Sequence, residues 1–314
     1  MLKLVVRRLM QAIPTLLVVI TITFILTRMV PGNPARTLLG PQASPEDIAQ
    51  MESLMGLDKS IGEQYKIYLG DILRGDFGYS YIYKSSVRDM IASRIPNTLV
   101  LTIPSLVIAL IAGVLAGMYS ALHQYSWGDY TIMVIALIGV SMPIFWLGLM
   151  LVNLFSVKLG WFPAVGMGNL GQPFMTYLSY MILPCFCLAT IPTATFARIT
   201  RSSMLEVINS DYIKALRARG IREKKIVWKH GLKNAAPPIV TVLGLQIANC
   251  FTGAIVTESV FSWPGLGTMI VNAINNRDYQ LIQGTVLFVA VVFIAINLLV
   301  DITYVLINPR VALE

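Results

Sequence analysis

The stretch DYIKALRARGIREKKIVWKHGLKN, residues 211–234, is dense with Lys and Arg although the chain around it is apolar. The protein has 314 residues, of which 56% are hydrophobic and only 13% are charged, and its formal net charge is +8. Soluble globular domains carry roughly 25% charged residues, about twice this share. The composition therefore excludes an ordinary soluble domain, and the basic stretch needs an explanation that fits a membrane protein.

Six apolar runs surround this stretch, and each is long enough for a helix to cross a bilayer. Such a helix needs about 20 apolar residues, and it satisfies its own backbone hydrogen bonds inside lipid. The first run is longer than the apolar region of a signal peptide, so we interpret it as an uncleaved span. The sequence predicts an all-α integral membrane protein with six transmembrane helices. The predicted spans are Leu9–Val30, Thr98–Ala121, Tyr130–Val157, Tyr177–Ile199, Ala236–Val256 and Gln283–Ile307, with kinks expected at Pro14, Pro104, Pro143, Pro184 and Pro192.

The distribution of Lys and Arg among the loops indicates how the spans are oriented. The region 198–233 has ten Lys or Arg and three acidic residues, whereas the short loops on the opposite side carry only Lys158 and Arg277. Cytoplasmic loops of membrane proteins hold an excess of Lys and Arg. We therefore expect both termini and the basic region in the cytoplasm, which explains the net positive charge without a nucleic-acid partner. The loop 121–129 is an exception, because it carries Asp129 and no Lys or Arg.

The long segment 31–96 follows the first span, and its polar composition predicts a small folded extracytoplasmic region. A Ser-Pro pair at 44–45 is typical of a helix N-terminus, and Ser-x-x-Glu at 60–63 fits a capping box. Two short helices are expected, over about 45–56 and 60–73, and they either shield the ends of the spans or receive a partner. The expected division of the chain is a first transmembrane helix (1–30), the extracytoplasmic helical segment (31–96) and a five-helix core (97–310) with the cytoplasmic loop 201–234.

The cytoplasmic loop is predicted to form two helices around a turn. Apolar residues at i, i+3 and i+4 spacing predict a helical stripe, and Gly220 can adopt the left-handed conformation that ends a helix. Glu223 then opens a second helix. A rigid basic bend is a shape that another protein can grip, whereas the alternative is a basic loop lying against anionic lipid. The predicted stripe consists of Leu205, Ile208, Tyr212, Ala215, Leu216 and Arg219.

The segment ALRARGIREKKIVWKHGLKNAAPP (215–238) resembles the cytoplasmic signature loop of permease subunits in binding-protein-dependent ABC importers. Leu-Arg-Ala-Arg-Gly at 216–220 is similar to the Ala-Arg-Ala-Lys-Gly run of the dipeptide/oligopeptide/nickel branch. Where the wider superfamily opens this loop with Glu-Ala-Ala, this chain has Lys-Ala-Leu at 214–216. That difference removes one possible acidic contact and leaves the predicted bend unchanged.

Five further segments resemble the same branch, and together with the loop they cover essentially the whole chain in the right order. Each match alone is weak, but the ordered set is highly specific. The segments are RGDFG (74–78) with Ser80, GVSMP (139–143) with FWL (145–147), TESVFSWPGLG (257–267), NRDY (276–279) and INPR (307–310).

The resemblance implies a bacterial inner-membrane subunit that forms half of a translocation pathway. Its implied partners are a second similar permease subunit, two cytoplasmic ATP-binding subunits, an extracytoplasmic solute-binding protein and membrane lipid. The chain has no phosphate-binding G-x-x-x-x-G-K-[ST] loop, so we expect no ATPase or other enzyme activity, and no cofactor or metal, in this subunit. The residues implied in coupling to the ATPase are Asp211, Tyr212, Ala215, Leu216, Arg217, Ala218, Arg219 and Gly220.

A second candidate site lies where the fifth span ends on the outer side. Glu258 is an ionisable residue at the membrane boundary, which is costly unless it is paired or hydrated, and Arg277 is its expected partner. The Trp-Pro-Gly turn that follows predicts an outer gate, although Trp also favours this depth as a simple interfacial anchor. The candidate pathway residues are Glu258, Phe261, Trp263, Pro264, Arg277 and Asp278.

The substrate is the least determined feature. The resembling branch carries peptides, glutathione, and nickel or other metal chelates, and we favour peptides because no His-rich tract is present and Cys185-x-Cys187 lacks zinc-type spacing. A secondary transporter is a less favoured class, since it is expected to show repeats and ionisable groups at the bilayer midplane. A membrane enzyme would need a catalytic constellation that the two histidines do not supply.

Overall fold

The structure, a computed structural model, describes residues 2–29, 32–168 and 171–307. Regular structure in these ranges is helical, apart from one short antiparallel hairpin of β1 (Tyr79–Ser80) and β2 (Ser85–Ser86). The helices are α1 (Leu2–Met29), α2 (Pro34–Leu39), α3 (Pro45–Leu54), α4 (Ile61–Leu73), α5 (Val87–Leu122), α6 (Trp127–Ser141), α7 (Ile144–Leu151), α8 (Phe174–Ile208), α9 (Asp211–Ala218), α10 (Glu223–Lys225), α11 (Leu232–Val260), α12 (Leu266–Asn275) and α13 (Tyr279–Ile307). Two π-helical segments, Val152–Lys158 and Ile226–Gly231, follow α7 and α10.

Four of these helices, α1, α5, α8 and α13, are long and apolar enough to cross a membrane. The count rises to six if each of two bent helix pairs is taken as one span. One bent pair is α6 with α7. The other consists of Glu223–Cys250 and Thr252–Val260, which together include α11. The expected all-α integral membrane protein is thus confirmed.

The third predicted span differs most from expectation, because it is broken in the middle. α6 ends at Ser141, and the axis of α7 is bent by 105° from it. Pro143 lies at the break, in extended conformation, as the residue before α7. Proline has no N–H to donate and restricts the residue before it to extended conformations, so a helix stops there.

Helix ends extend beyond the apolar runs, because caps and not hydropathy fix where a helix begins. α5 begins at Val87, well before the predicted Thr98. Asp89 donates its backbone N–H to the Ser86 hydroxyl (3.1 Å), and that hydroxyl donates to the Asp89 carboxylate (2.6 Å), which caps the helix. α8 likewise runs from Phe174 to Ile208, beyond both ends of the predicted span.

The outer segment contains the two predicted helices as α3 and α4. Ser44 accepts a hydrogen bond from the backbone of Asp47 at the start of α3, and Ser60 forms the reciprocal capping box with Glu63 at the start of α4. The sequence did not indicate α2 or the β-hairpin, which are too short to show a hydropathy period.

The chain separates into two compact units that are not contiguous in sequence. One contains the described residues of 99–263 together with those of 1–5 and 295–314, and the other contains 6–98 and 264–294. In the first unit, α8 packs against α6, α7 and α11. In the second, a buried cluster joins the start of α5, helix α12 and the start of α13; its members are Val87, Ile91, Leu266, Met269, Ala273 and Leu281. The sequence analysis divides the chain into three consecutive parts and not into these two units, and that three-part division stays a prediction.

The three cysteines are free and buried. Cys185 and Cys187 lie in α8, and Cys250 lies in α11. Their side chains take part in apolar packing, which is the usual role of a buried thiol. Within the described residues, no group of three or more His, Cys, Asp or Glu is placed to hold a metal ion.

Candidate functional site

Helix α9 and the turn after it form the basic bend that the sequence predicted, and we call residues 211–225 the elbow. α8 ends at Ile208, and α9 starts afresh at Asp211 after Asn209 and Ser210. Ser210 has the extended conformation of an N-cap residue, although its hydroxyl donates to the carbonyl of Val207 (2.6 Å). The elbow is thus separated from α8 by a short, hydrogen-bonded break.

The turn at Gly220 ends α9 by a complete Schellman motif. Gly220 has φ of +74°, and its backbone N–H donates to the carbonyl of Arg217 (2.9 Å). The N–H of Ile221 donates to the carbonyl of Leu216 (3.2 Å). These are the two bonds that define the motif, and they satisfy carbonyls that the helix end would otherwise leave unpaired. The predicted left-handed role of Gly220 is confirmed.

A small apolar core holds the two limbs of the elbow together. Ile213 and Leu216 of α9 and Ile226, just after α10, are buried against each other, and Val207 and Ile221 pack on them. The predicted stripe placed Tyr212 and Ala215 on the inner side, but both are exposed. The prediction was wrong by one position, because the break at 209–210 restarts the helical period.

An ion pair spans the outside of the turn. The Arg217 guanidinium donates to the Glu223 carboxylate through Nε (2.6 Å) and Nη2 (3.4 Å). This hydrogen bond raises the pKa of Arg217 above its usual value. Both side chains are largely exposed, so the pair sets the direction of the Arg217 side chain more than it stabilises the fold.

The outward surface of the elbow is polar and basic, with two small alanine side chains close to the turn. Ala215, Ala218 and Arg219 are exposed. A Cβ added at Gly220 would have no heavy atom within 4 Å in the described part of the chain. On the flank, the Tyr212 hydroxyl lies 2.8 Å from Nδ1 of His230 and so joins α9 to the π-helical segment. The elbow therefore presents an ordered surface, with open space beside Gly220.

The outer end of α11 contributes three of the second set of predicted residues, and all of them are buried. Phe261 packs with Leu151, Leu183 and Cys187. The Trp263 ring lies in a separate apolar cluster formed by Leu101, Cys185, Leu188 and Ala254. Trp263 donates its backbone N–H to the carbonyl of Glu258 (2.8 Å), whose side chain is also buried. Packing inside the protein does not fit the interfacial-anchor alternative for Trp263.

In the other unit, the carbonyl of Pro264 is held by two side chains at the start of α5. Arg94 donates to it through Nη1 (3.0 Å) and Asn97 through Nδ2 (2.8 Å). The Thr98 hydroxyl accepts a hydrogen bond from the backbone N–H of Leu266 (2.9 Å). The sequence did not indicate these three polar residues. Arg94 and Asn97 lie on the part of α5 that precedes the predicted apolar run, and Thr98 is the first residue of that run.

Arg277 and Asp278 lie between α12 and α13 and face different surroundings. Arg277 has φ of +55°, and its Nη1 lies 3.4 Å from the Thr37 hydroxyl. Asp278 is buried, and burial raises its pKa although its carboxylate accepts hydrogen bonds from Ser80 and from the backbone of Leu281. The predicted pairing of Glu258 with Arg277 joins the two units and stays a prediction.

Comparison with known proteins accounts for the whole chain. The family described as "Binding-protein-dependent transport system inner membrane component" matches residues 113–313, and its N-terminal companion matches residues 1–102. The chain is 46% identical to the dipeptide transport system permease protein DppB of Alkalihalophilus pseudofirmus, over 97% of this chain and 98% of that one. It is 42% identical to the glutathione transport system permease protein GsiC of Escherichia coli K12, over 99% of both chains.

The fold is also found in a solved structure. The chain is similar to a chain of the MetNI methionine ABC transporter in an inward-facing conformation, with a TM-score of 0.58 and 17% identity over 70% of this chain and 96% of that one. At this identity the likeness shows a shared fold and nothing about the substrate. The family matches and the two permease relatives carry the assignment. The chain therefore belongs to the family of inner membrane components of binding-protein-dependent transport systems, as a multi-pass ABC importer permease of the dipeptide/oligopeptide branch.

Proposed function

We propose that this chain takes up peptides as a permease subunit and that its elbow is the surface on which a cytoplasmic ATPase subunit docks. The observation that carries the proposal is the Schellman-capped turn, which gives the elbow a fixed shape within the subunit itself. A docking element that is already ordered avoids much of the ordering cost of association. The elbow's apolar core also packs on Val207 near the end of α8, so a displacement of α9 would reach that helix.

The partners follow from the family and from what this chain lacks. The ATP-binding subunits supply the hydrolysis, because this sequence has no phosphate-binding loop of its own. A second permease subunit completes the pathway, and two ATPase subunits engage one elbow each. A solute-binding protein delivers the substrate on the side of the outer segment, where α3 and α4 are candidates for its contact surface.

The outer turn is proposed to gate the pathway on the opposite side of the membrane. Phe261 and Trp263 anchor it by packing, while the Pro264 carbonyl is tied to α5 through Arg94 and Asn97. A gate at this turn would open by exchanging these contacts for a second set.

Peptides are the substrate class that the relatives favour. One relative is named for dipeptide transport and another for glutathione transport, and glutathione is itself a small peptide. Glutathione is therefore the second candidate. Metal chelates rank lower, because no described residue cluster is arranged for metal ligation.

The docking of the elbow is tested by the Arg217–Glu223 pair. Arg217→Glu places two like charges across the turn, whereas Arg217→Glu with Glu223→Arg restores an internal ion pair of reversed direction. We expect both variants to lose co-purifying ATPase and transport in proteoliposomes, because the first removes the exposed cation at position 217 and the second moves it to position 223. Recovery of ATPase binding and of transport in the exchanged variant would show that only the internal pair matters.

The substrate is tested with the complete importer and its solute-binding protein. Uptake of labelled dipeptide, glutathione and a nickel chelate is compared in one proteoliposome preparation. Uptake of the chelate alone would contradict the peptide assignment, and it would leave the docking proposal untouched.

A further inference from the structure

The loop 121–129, which has no Lys or Arg, leads into an ion pair between buried Asp129 and partly buried Arg201. Asp129, near the start of α6, is only 1% exposed. The Arg201 guanidinium of α8 donates to both carboxylate oxygens, with Nε 2.7 Å from Oδ1 and Nη2 2.7 Å from Oδ2. The Ser120 hydroxyl donates to Oδ1, and the Tyr125 backbone N–H donates to Oδ2 (3.0 Å). Arg201 thus directs its positive charge into the bundle.

This ion pair joins three helices at one point. Ser120 lies in α5, Asp129 in α6 and Arg201 in α8. Ser120 also accepts a hydrogen bond from Nε of Arg201 (3.1 Å), so all three side chains contact one another. A fork of two parallel N–H donors fixes orientation as well as distance, which a single point charge does not.

Backbone contact between α5 and α8 makes the same region stiff. A Cβ added at Gly117 would lie 2.4 Å from the carbonyl oxygen of Ala197, and one at Gly113 would lie 2.5 Å from Cβ of Phe196. Only glycine permits this approach, and packed interiors shift between discrete arrangements and do not deform smoothly. α5 and α8 therefore move together in this region.

The ion pair lies on α8, the helix that leads into the elbow. At a rise of about 1.5 Å per residue, Arg201 lies roughly 10 Å along α8 from the end of that helix at Ile208. Beyond Ile208, the apolar core of the elbow packs on Val207 of the same helix. On its other side, Asp129 belongs to α6, which leads to the 105° break before α7. The pair is thus a polar link between the helix that leads into the elbow and the broken third span.

Stability alone is a weak explanation for such a pair. Replacing a buried ion pair by apolar residues of similar volume is often neutral or stabilising, whereas removal of one partner leaves a buried charge uncompensated. In some proteins a buried polar or ionic group fixes one arrangement of helices at a cost in stability. We propose that Asp129 and Arg201 are positioning residues for transport, which hold α6 to α8 so that displacement of the elbow is passed to the third span. This inference rests on the proposed docking of the ATPase at the elbow.

The test compares Asp129→Asn, Arg201→Met and the double variant Asp129→Leu/Arg201→Met in the complete importer. In the double variant no charge is left uncompensated, so we expect its thermal midpoint to recover toward wild type relative to the single variants. We expect its ratio of substrate transported to ATP hydrolysed to stay about tenfold below wild type, within the range of coupling between distant sites. Recovery of that ratio together with the midpoint would overturn the inference, since a purely structural role restores both.

Arg201→Lys keeps the positive charge and covers the case in which the double variant fails to fold. It loses the fork geometry, and we expect a folded importer whose transport-to-hydrolysis ratio falls about fivefold. A wild-type ratio in this variant would also overturn the inference. The Arg217 variants described above are measured in the same experiment. If they bind the ATPase normally, the docking proposal fails. If they lose ATPase while the Asp129 and Arg201 variants transport normally, only the positioning role fails.

Discussion

Substitution of Gly220 separates strain within the elbow from contact with a partner. Gly220 has φ of +74°, where a residue with a Cβ costs roughly 1–2 kcal/mol. The added Cβ would meet no described atom within 4 Å, so the isolated subunit has no clash to relieve. Gly220→Ala should therefore cost the elbow about 1 kcal/mol, whereas Gly220→Asn should cost less because Asn tolerates this conformation.

The two variants give different results with the ATPase present. If strain alone acts, Gly220→Ala weakens ATPase binding about fivefold and Gly220→Asn leaves it nearly unchanged. If the face beside Gly220 is seated in a groove, both variants weaken binding by at least about tenfold, because side-chain atoms occupy the contact. Binding constants would be measured by titrating purified ATPase subunits onto the permease in nanodiscs.

Gly56 supplies the matched control. It also lies just after a helix end, with φ of +67° and no described atom within 4 Å of an added Cβ. Its position in the outer segment predicts that Gly56→Ala and Gly56→Asn leave ATPase binding at the wild-type value. Normal ATPase binding by Gly220→Asn would refute the docking of the elbow at this face.

Two further predictions concern the outer side. Burial raises the pKa of Asp278, so the folded chain binds this proton more tightly than the unfolded chain, and stability is lost as pH rises from the unfolded pKa to the folded one. We expect the thermal midpoint of the wild type to fall as pH rises above the ordinary Asp pKa of about 4, and Asp278→Asn should reduce that fall; an unchanged slope would exclude Asp278 as its source. Trp263 is buried with Leu101 and Leu188, so Trp263→Ala should lower the free energy of unfolding of the subunit by about 3–5 kcal/mol. Denaturation in detergent measures this cost, and a value below about 1 kcal/mol would instead indicate an interfacial side chain.

The sequence predicted the turn of the elbow correctly, because the turn depends on the backbone conformation of one residue. Gly220 required a left-handed conformation, and the motif formed around it. The inner face was predicted one position off, with Tyr212 in place of Ile213, because the helical period was carried across a two-residue break. An Asn-Ser-Asp run at 209–211 is a helix-start signal that would have restarted the count.

The features that the sequence left undetermined depend on contacts between distant residues. Asp129 appeared as an exception in a loop without cations, and only the structure shows that its partner is Arg201, in another helix. The break at Pro143 was expected as a kink, but the structure shows a bend of 105° with α7 packed on α8 and α11. Hydropathy sets the length of an apolar run and carries no information about such angles.

The burial of all three native thiols makes the wild-type chain suitable for site-directed labelling. Cys185, Cys187 and Cys250 are each no more than 5% exposed, and a maleimide reacts with an accessible thiolate. A single cysteine introduced at an exposed position of the outer segment or of the elbow should thus carry nearly all of the probe. With one such cysteine in each of the two regions, spectroscopic distances between them can be followed through a transport cycle without first removing the native cysteines.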